Sequence, residues 1–175
     1  MVFGKPPWEG NEGDNDVGNY DVMQVCLNGH KITDTLNTWP QHGKQHCSDC
    51  GAATISKCQH CQADIRGFYH APRVFGGSGP KAPAFCHTCG KCYPWTEARL
   101  KAAQELAEET EGLDDKERQM LKASLDDLVR ETPRTTLAAT RFKRLATKAG
   151  KGAADAFKDI LIGVISEAAK KLIWP

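Results

Sequence analysis

Residues 47–61 read CSDCGAATISKCQHC, two Cys-x2-Cys pairs held apart by the stretch from Gly51 to Lys57. Such a pair is what a tetrahedral metal asks of a chain, because a short turn lets two thiolates, each about 2.3 Å from a zinc ion, approach from one side. Working outward, Cys26-x3-His30 precedes this stretch and Cys86-x2-Cys89 follows it. Cys26, His30, Cys47, Cys50, Cys58, Cys61, Cys86 and Cys89 therefore make two complete four-donor sets. The spacing predicts two structural Zn2+ sites per chain.

How four pairs share two metals depends on the spacer. Fully extended, residues 51–57 reach about 23 Å. A ribbon site at Cys47, Cys50, Cys58 and Cys61 would need them to form two short strands and a turn. In the alternative, Cys26, His30, Cys58 and Cys61 hold one metal, and Cys47, Cys50, Cys86 and Cys89 hold the other. The spacer is then a strut between metals, an order similar to the cross-brace of RING, FYVE and B-box fingers. Interleaving is favoured over consecutive use of the pairs, and both give closed, thiolate-rich shells.

His30 follows Asn28-Gly29 and completes a set of three thiolates and one imidazole; its other reading is a turn cap, with His70 as the reserve donor. His46, His60 and His87 are expected as exposed residues of the cysteine turns. Cys92, with Cys86 and Cys89, resembles an iron–sulfur run, but the fourth cysteine of such a run would stand where this chain has Thr96. Cys92 is accordingly placed outside the metal sites. No His-Glu-x-x-His, Gly-x-Ser-x-Gly or phosphate-binding loop occurs, and the glycines at 76–79 lack the Gly-Lys-Ser/Thr ending. The expectation is a protein that is not an enzyme and has no small-molecule substrate.

The 175 residues carry a formal charge of +1, which excludes a bulk polyelectrolyte, yet the charge is segregated. Residues 97–131 hold six basic and eleven acidic side chains, and residues 134–175 hold nine basic and three acidic. A basic end suggests intramolecular docking or an anionic partner. The chain has neither a positively charged start leading into an apolar run nor an apolar run of membrane-spanning length. Paired cysteine spacings then favour metal binding in a reducing, cytoplasmic setting over a disulfide framework.

Composition divides the chain into four segments. Residues 1–20 are rich in Gly, Pro, Asn and Asp and read as a disordered tail. Residues 21–95 hold the cysteines, with short strands expected at 21–25, 53–56 and 65–69. So little of that segment is apolar that metal binding would supply its folding energy. Residues 96–149 are helical. Thr96 is the expected N-cap, Leu100, Ala103 and Ala107 follow at helical spacing, and Gly112 is a break. Leu121, Leu125, Leu128 and Val129 mark a second helix. Thr132-Pro133 is expected to open a third through Leu137, Phe142 and Leu145, which Gly150 and Gly152 end. Residues 150–175 hold an amphipathic helix from Ala153 to Trp174. The fold class is α+β: a small binuclear zinc-finger domain with short β-hairpins, then an α-helical region.

Several stretches together resemble one family. They are Cys26-Leu27-Asn28-Gly29-His30; Cys47-x2-Cys50-Gly51 with Thr54-Ile55; Cys58-x2-Cys61; Ile65-Arg66-Gly67; and Cys86-His87-x-Cys89-Gly90-Lys91 running into Tyr93-Pro94-Trp95-Thr96-Glu97. Residues 132–135, 141–143 and 166–171 continue the likeness. The chain is similar, over about residues 20–173, to a bacterial domain-of-unknown-function family of small double-zinc-finger proteins. The resemblance implies the eight ligands named above and a non-ligand at Cys92. It implies no activity.

Three roles remain open to a chain of this kind. The leading one is a protein-interaction adaptor, RING-like if the cross-brace holds, with another protein or a second copy docking on the C-terminal helices. The next is nucleic-acid binding through Arg134, Arg141, Lys143, Arg144, Lys148 and Lys151. The last places the wide apolar face of residues 153–174, with Lys158, Lys170, Lys171 and Trp174, at a membrane surface.

Overall fold

In the computed structural model the described residues are 18–74 and 76–174. The disordered tail expected over residues 1–20 falls mostly outside them, although Asn19 and Tyr20 belong to the first strand. The chain divides into two compact units, Met1–Tyr93 and Pro94–Pro175. Among the described residues the architecture is mixed α+β, two small antiparallel sheets and five α-helices, with a short 3-10 turn at Pro40–His42.

The N-terminal unit is built from strands of two to five residues. β1 (Asn19–Val22) pairs antiparallel with β5 (Arg66–His70), and β2 (Gln24–Cys26) lies between β3 (Lys31–Thr33) and β4 (Thr54–Ile55). Met23, Val25 and Ile65 are fully buried, together with the cysteines Cys26, Cys47, Cys58 and Cys86. Even with Val22 and Tyr93, also buried, so few side chains cannot offset the ordering of this many residues, and most of the cohesion has to come from the cysteine clusters.

Asp21 supplies a polar anchor. Its carboxylate accepts from the backbone N–H groups of Val22 (2.6 Å), Asn37 (2.8 Å) and Thr38 (3.2 Å). It also accepts from the Thr38 hydroxyl (2.6 Å) and lies 3.2 Å from His70 Nε2. Burial alone would raise its pKa, but these bonds, Thr38 and Asn37 foremost, outweigh it and hold the carboxyl below its ordinary value. His70, the reserve ligand of the sequence, is thus committed to Asp21 on β1.

The C-terminal unit is helical. α1 (Pro94–Glu109) starts with proline at its first position, two residues before the expected cap, and Thr96 is buried in the first turn. α2 (Asp115–Val129) opens with a capping box: Asp114 accepts from Glu117 N (2.8 Å) and Glu117 Oε2 from Asp114 N (3.1 Å). α3 (Thr135–Ala149) begins beyond Pro133, with Arg134 before its first residue and no side-chain cap; the Thr135 hydroxyl instead ties the start of the helix to the end of α2, donating to Arg130 O (2.6 Å) and accepting from Thr132 N (2.9 Å).

The single helix expected from Ala153 to Trp174 is two. α4 (Lys151–Leu161) has Gly152 in its first turn rather than as a breaker, and α5 (Glu167–Ile173) follows a turn at 162–166. Ser166 makes the break: its hydroxyl caps Ala169 N (3.2 Å) while its own N–H donates to Leu128 O on α2 (2.9 Å). α3 packs on α2, α4 and α5, and α1 packs on α2 and α4. Phe142 sits at their centre, edge to face with Phe157 (5.4 Å) and Trp174 (6.1 Å). Most of the tail's apolar face is consumed here, with Phe157, Leu161, Val164, Ile165, Ala169 and Ile173 buried and Leu172 left exposed. Among the described residues no helix is long and apolar enough to cross a membrane.

Candidate metal centres

The first cysteine closes a hairpin. Cys26 ends β2, its N–H donates to His30 O (3.0 Å), and Gly29 N returns a bond to Cys26 O (2.9 Å). The other three pairs share one knuckle. In each, the first cysteine's N–H donates to the carbonyl five residues on, at Ala52 (2.9 Å), Ala63 (2.8 Å) and Lys91 (2.9 Å). The residue four on, Gly51, Gln62 or Gly90, donates back to the cysteine carbonyl at 2.9 Å. That residue is left-handed every time, with φ of +70°, +61° and +68°. An isolated bridge then closes each knuckle: His46 with Ala53, Lys57 with Asp64, Phe85 with Cys92.

This repeat places Cys92. It occupies the closing-bridge position that Ala53 and Asp64 fill elsewhere, and among the described residues it joins neither metal-ligand cluster. His46, His60 and His87 are exposed around the knuckles.

The eight paired residues gather into two groups, Cys26, His30, Cys47 and Cys50, and Cys58, Cys61, Cys86 and Cys89. Consecutive pairs share a cluster, which overturns the interleaved arrangement. The cause is β4. It pairs with β2 in the register Val25 to Ile55 and Cys26 to Thr54, and Leu27 N donates to Ala53 O (3.0 Å). The second knuckle is thereby laid against Cys26, and the extended spacer carries the third away. It is a strut between the clusters, but each metal site lies wholly to one side of it.

The donor spacing fits a tetrahedral ion. With bonds of about 2.3 Å to sulfur and 2.0–2.1 Å to nitrogen, tetrahedral zinc puts sulfurs about 3.8 Å apart and sulfur and nitrogen about 3.6 Å apart. Cys26 and Cys50 Sγ are 3.8 Å apart, and Cys47 Sγ lies 3.5 Å from His30 Nδ1. In the second cluster the Cys58–Cys89 and Cys61–Cys86 separations are 3.8 and 3.7 Å. All donor atoms of each group lie within 4.8 Å of one another.

The electrostatics ask for a cation. Cys50 is lowered to about 6, chiefly by the N–H of Ala52 and then by the Asn28 amide, which donates to its sulfur at 3.4 Å. Cys86 is lowered to about 6 although burial opposes it, because the N–H groups of Cys89 and Thr88 point at the sulfur. Burial raises Cys26. The N–H of Ala63 acts to lower Cys61, yet burial and the sulfurs of Cys89, Cys86 and Cys58 together push it up to about 12. Like charges at this spacing cannot all ionise unaided, and a divalent ion removes the conflict. Tyr93 is raised by burial and by the Cys86 charge, so its phenol stays protonated beside the second cluster.

Sequence reasoning missed the outer shell. Asn28 sits inside the Cys26-x3-His30 spacing, where an amide in the turn is a readable hint of sulfur contact. The donation of His30 N to Cys26 Sγ (3.3 Å) and of Thr88 N to Cys86 Sγ (3.4 Å) comes from backbone geometry and has no residue signature.

The class is thus an α+β protein with two closed cysteine-rich clusters, compatible with structural zinc binding. The chain belongs to the family described as an uncharacterized protein conserved in bacteria (DUF2321), whose model matches residues 19–173. No curated protein and no solved structure matches it.

Proposed function

We propose that the protein is a non-catalytic zinc-stabilised adaptor. The observation that carries this reading is that each cluster gathers four protein donors, the number that completes a tetrahedral zinc shell. A catalytic zinc keeps one position for water or substrate, and neither cluster leaves one. Zinc is favoured over other thiophilic metals by the donor sets, one of three thiolates with an imidazole and one of four thiolates, and by spacings matched to its bond lengths. The exposed Tyr20, Tyr69 and Trp39 belong to residue types that anchor protein interfaces, and Arg66 stacks on Tyr20 with its carbon 4.8 Å from the ring centroid.

The other two readings lose part of their support. Of the six basic residues offered to nucleic acid, Arg134 is taken by Asp127 (3.0 Å) and Lys148 by Glu117 (2.6 Å). Most of the apolar face offered to a membrane is occupied by packing against α1 and α3. Elemental analysis of purified protein, with Cys92→Ser and His30→Ala alongside, tests the zinc assignment. Two zinc per chain, unchanged by Cys92→Ser and weakened by His30→Ala, is expected; iron, or metal lost with Cys92, would overturn it.

A further inference from the structure

The seven exposed large hydrophobic side chains among the described residues divide unevenly. Four lie in the N-terminal unit, and the C-terminal unit has Met120, Leu137 and Leu172, at 36%, 49% and 44% exposure. These three come from α2, α3 and α5, the two outer helices being neighbours of α3. Arg144 ties them together. Its guanidinium donates to Met120 Sδ at 3.7 Å, it lines an open groove of about 490 Å³ with Leu172, and it stands two helical turns along α3 from Leu137.

That groove is lined by Thr140, Lys143, Arg144, Thr147 and Leu172. No carboxylate is among them. Lys143 reaches the Leu172 carbonyl (3.2 Å), and neither it nor Arg144 has an acidic partner among the described residues, nor has Arg141 one turn away. The other exposed cations of α3 and its approach are already neutralised, Lys148 by Glu117 and Arg134 by Asp127. Uncompensated positive charge and exposed apolar surface therefore coincide on one strip.

From this coincidence we propose that the outward face of α3, with the groove against α5, docks an acidic amphipathic segment of a protein partner. The carboxylates of that segment meet Lys143, Arg144 and Arg141, and its apolar side chains cover Leu172, Leu137 and Met120. An inorganic anion or a nucleic-acid backbone would use the cations but leave three large apolar side chains in water, whereas an acidic–apolar peptide covers both. This deepens the adaptor reading and rests on it.

The test is selection from a random dodecapeptide display library on the full-length zinc-loaded chain, run in parallel on the Lys143→Glu/Arg144→Glu variant. Both side chains are exposed, so circular dichroism should show that variant folded. Recovered peptides should combine Asp or Glu with Leu, Phe or Ile. As synthetic peptides they should bind in a salt-dependent way, lose at least tenfold in affinity on charge reversal, and weaken with Leu172→Gln. Peptides that ignore the charge reversal but lose binding with Tyr20→Ala/Tyr69→Ala would overturn the groove and leave the adaptor reading standing. A fluorescent single-stranded 15-mer DNA that binds wild type and not the variant, with no peptide enriched, would overturn both. Enrichment equal on wild type and variant would overturn the groove alone.

Discussion

The three knuckles contain a controlled experiment in backbone strain. Their fourth-following residues are Gly51, Gln62 and Gly90, all left-handed and all donating the same 2.9 Å bond. A Cβ built on Gly51 or Gly90 meets nothing within 4 Å, so alanine there costs no packing and its whole penalty is torsional. That penalty is roughly 1–2 kcal/mol per residue. Because metal binding and folding are one event in a unit with so small a core, the cost should surface as zinc affinity. Alanine's smaller unfolded-state freedom returns about 0.5–1 kcal/mol, so at 1.4 kcal/mol per decade Gly51→Ala or Gly90→Ala should weaken zinc binding by up to about tenfold. Gln62→Gly should do the opposite. Relief of strain is partly offset by about 0.5–1 kcal/mol of glycine's unfolded-state freedom, leaving no loss and up to about a tenfold gain. Competition against a chromophoric chelator at fixed pH reads all three. Tighter zinc binding by Gly51→Ala and Gly90→Ala, or a Gln62→Gly variant that binds zinc more weakly than wild type, would refute the reasoning.

Other perturbations follow from the same structure. Asp21→Asn removes a buried charge from a cage of donors and should destabilise the N-terminal unit by about 2–3 kcal/mol in chemical denaturation. Since Asp21 titrates below its ordinary 3.8 when folded, its contribution is fully present above pH 4 and is lost as pH falls through the folded value. That part of the acid loss should be missing in Asp21→Asn; an unchanged acid limb would contradict the role given to the carboxylate. Phe142→Ala, which empties the centre of the helical unit, should cost about 3–5 kcal/mol while zinc content stays unaltered. Chelation at neutral pH should abolish the near-ultraviolet signals of the N-terminal unit and retain most of the helical signal at 222 nm, and loss of both in proportion would argue against two separately stabilised units.

The ligand pairs were legible in the sequence because cysteine spacing is a direct imprint of coordination chemistry. Their partition was not. It depends on β4, a strand of two residues whose register against β2 has no periodicity to read. The short spacer pointed to a strut, and a strut is what it forms, but its length could not say which side each partner pair lay on. Cys92 was separable from the clusters by motif, and its bridge position becomes visible only when three knuckles are superposed. In the helical unit the apolar stripes located α1 to α3 well, since heptad-like burial decides them. The break at 162–166 escaped because Gly163 and Ser166 lie within a continuous apolar pattern. A side-chain cap and the bond from Ser166 N to Leu128 O, a tertiary contact, interrupt it. Asp21 and His70 lie 49 residues apart and signalled nothing by themselves.

The most direct test of the central assignment is to load the protein with cadmium-113 and correlate each metal nucleus with cysteine β-protons by heteronuclear NMR. Two resonances are predicted, one coupled to Cys26, Cys47 and Cys50 with the shift of a three-sulfur, one-nitrogen site. The other should couple to Cys58, Cys61, Cys86 and Cys89 as a four-sulfur site. A single cadmium coupled to both Cys26 and Cys58, or a resonance coupled to Cys92, would contradict the account.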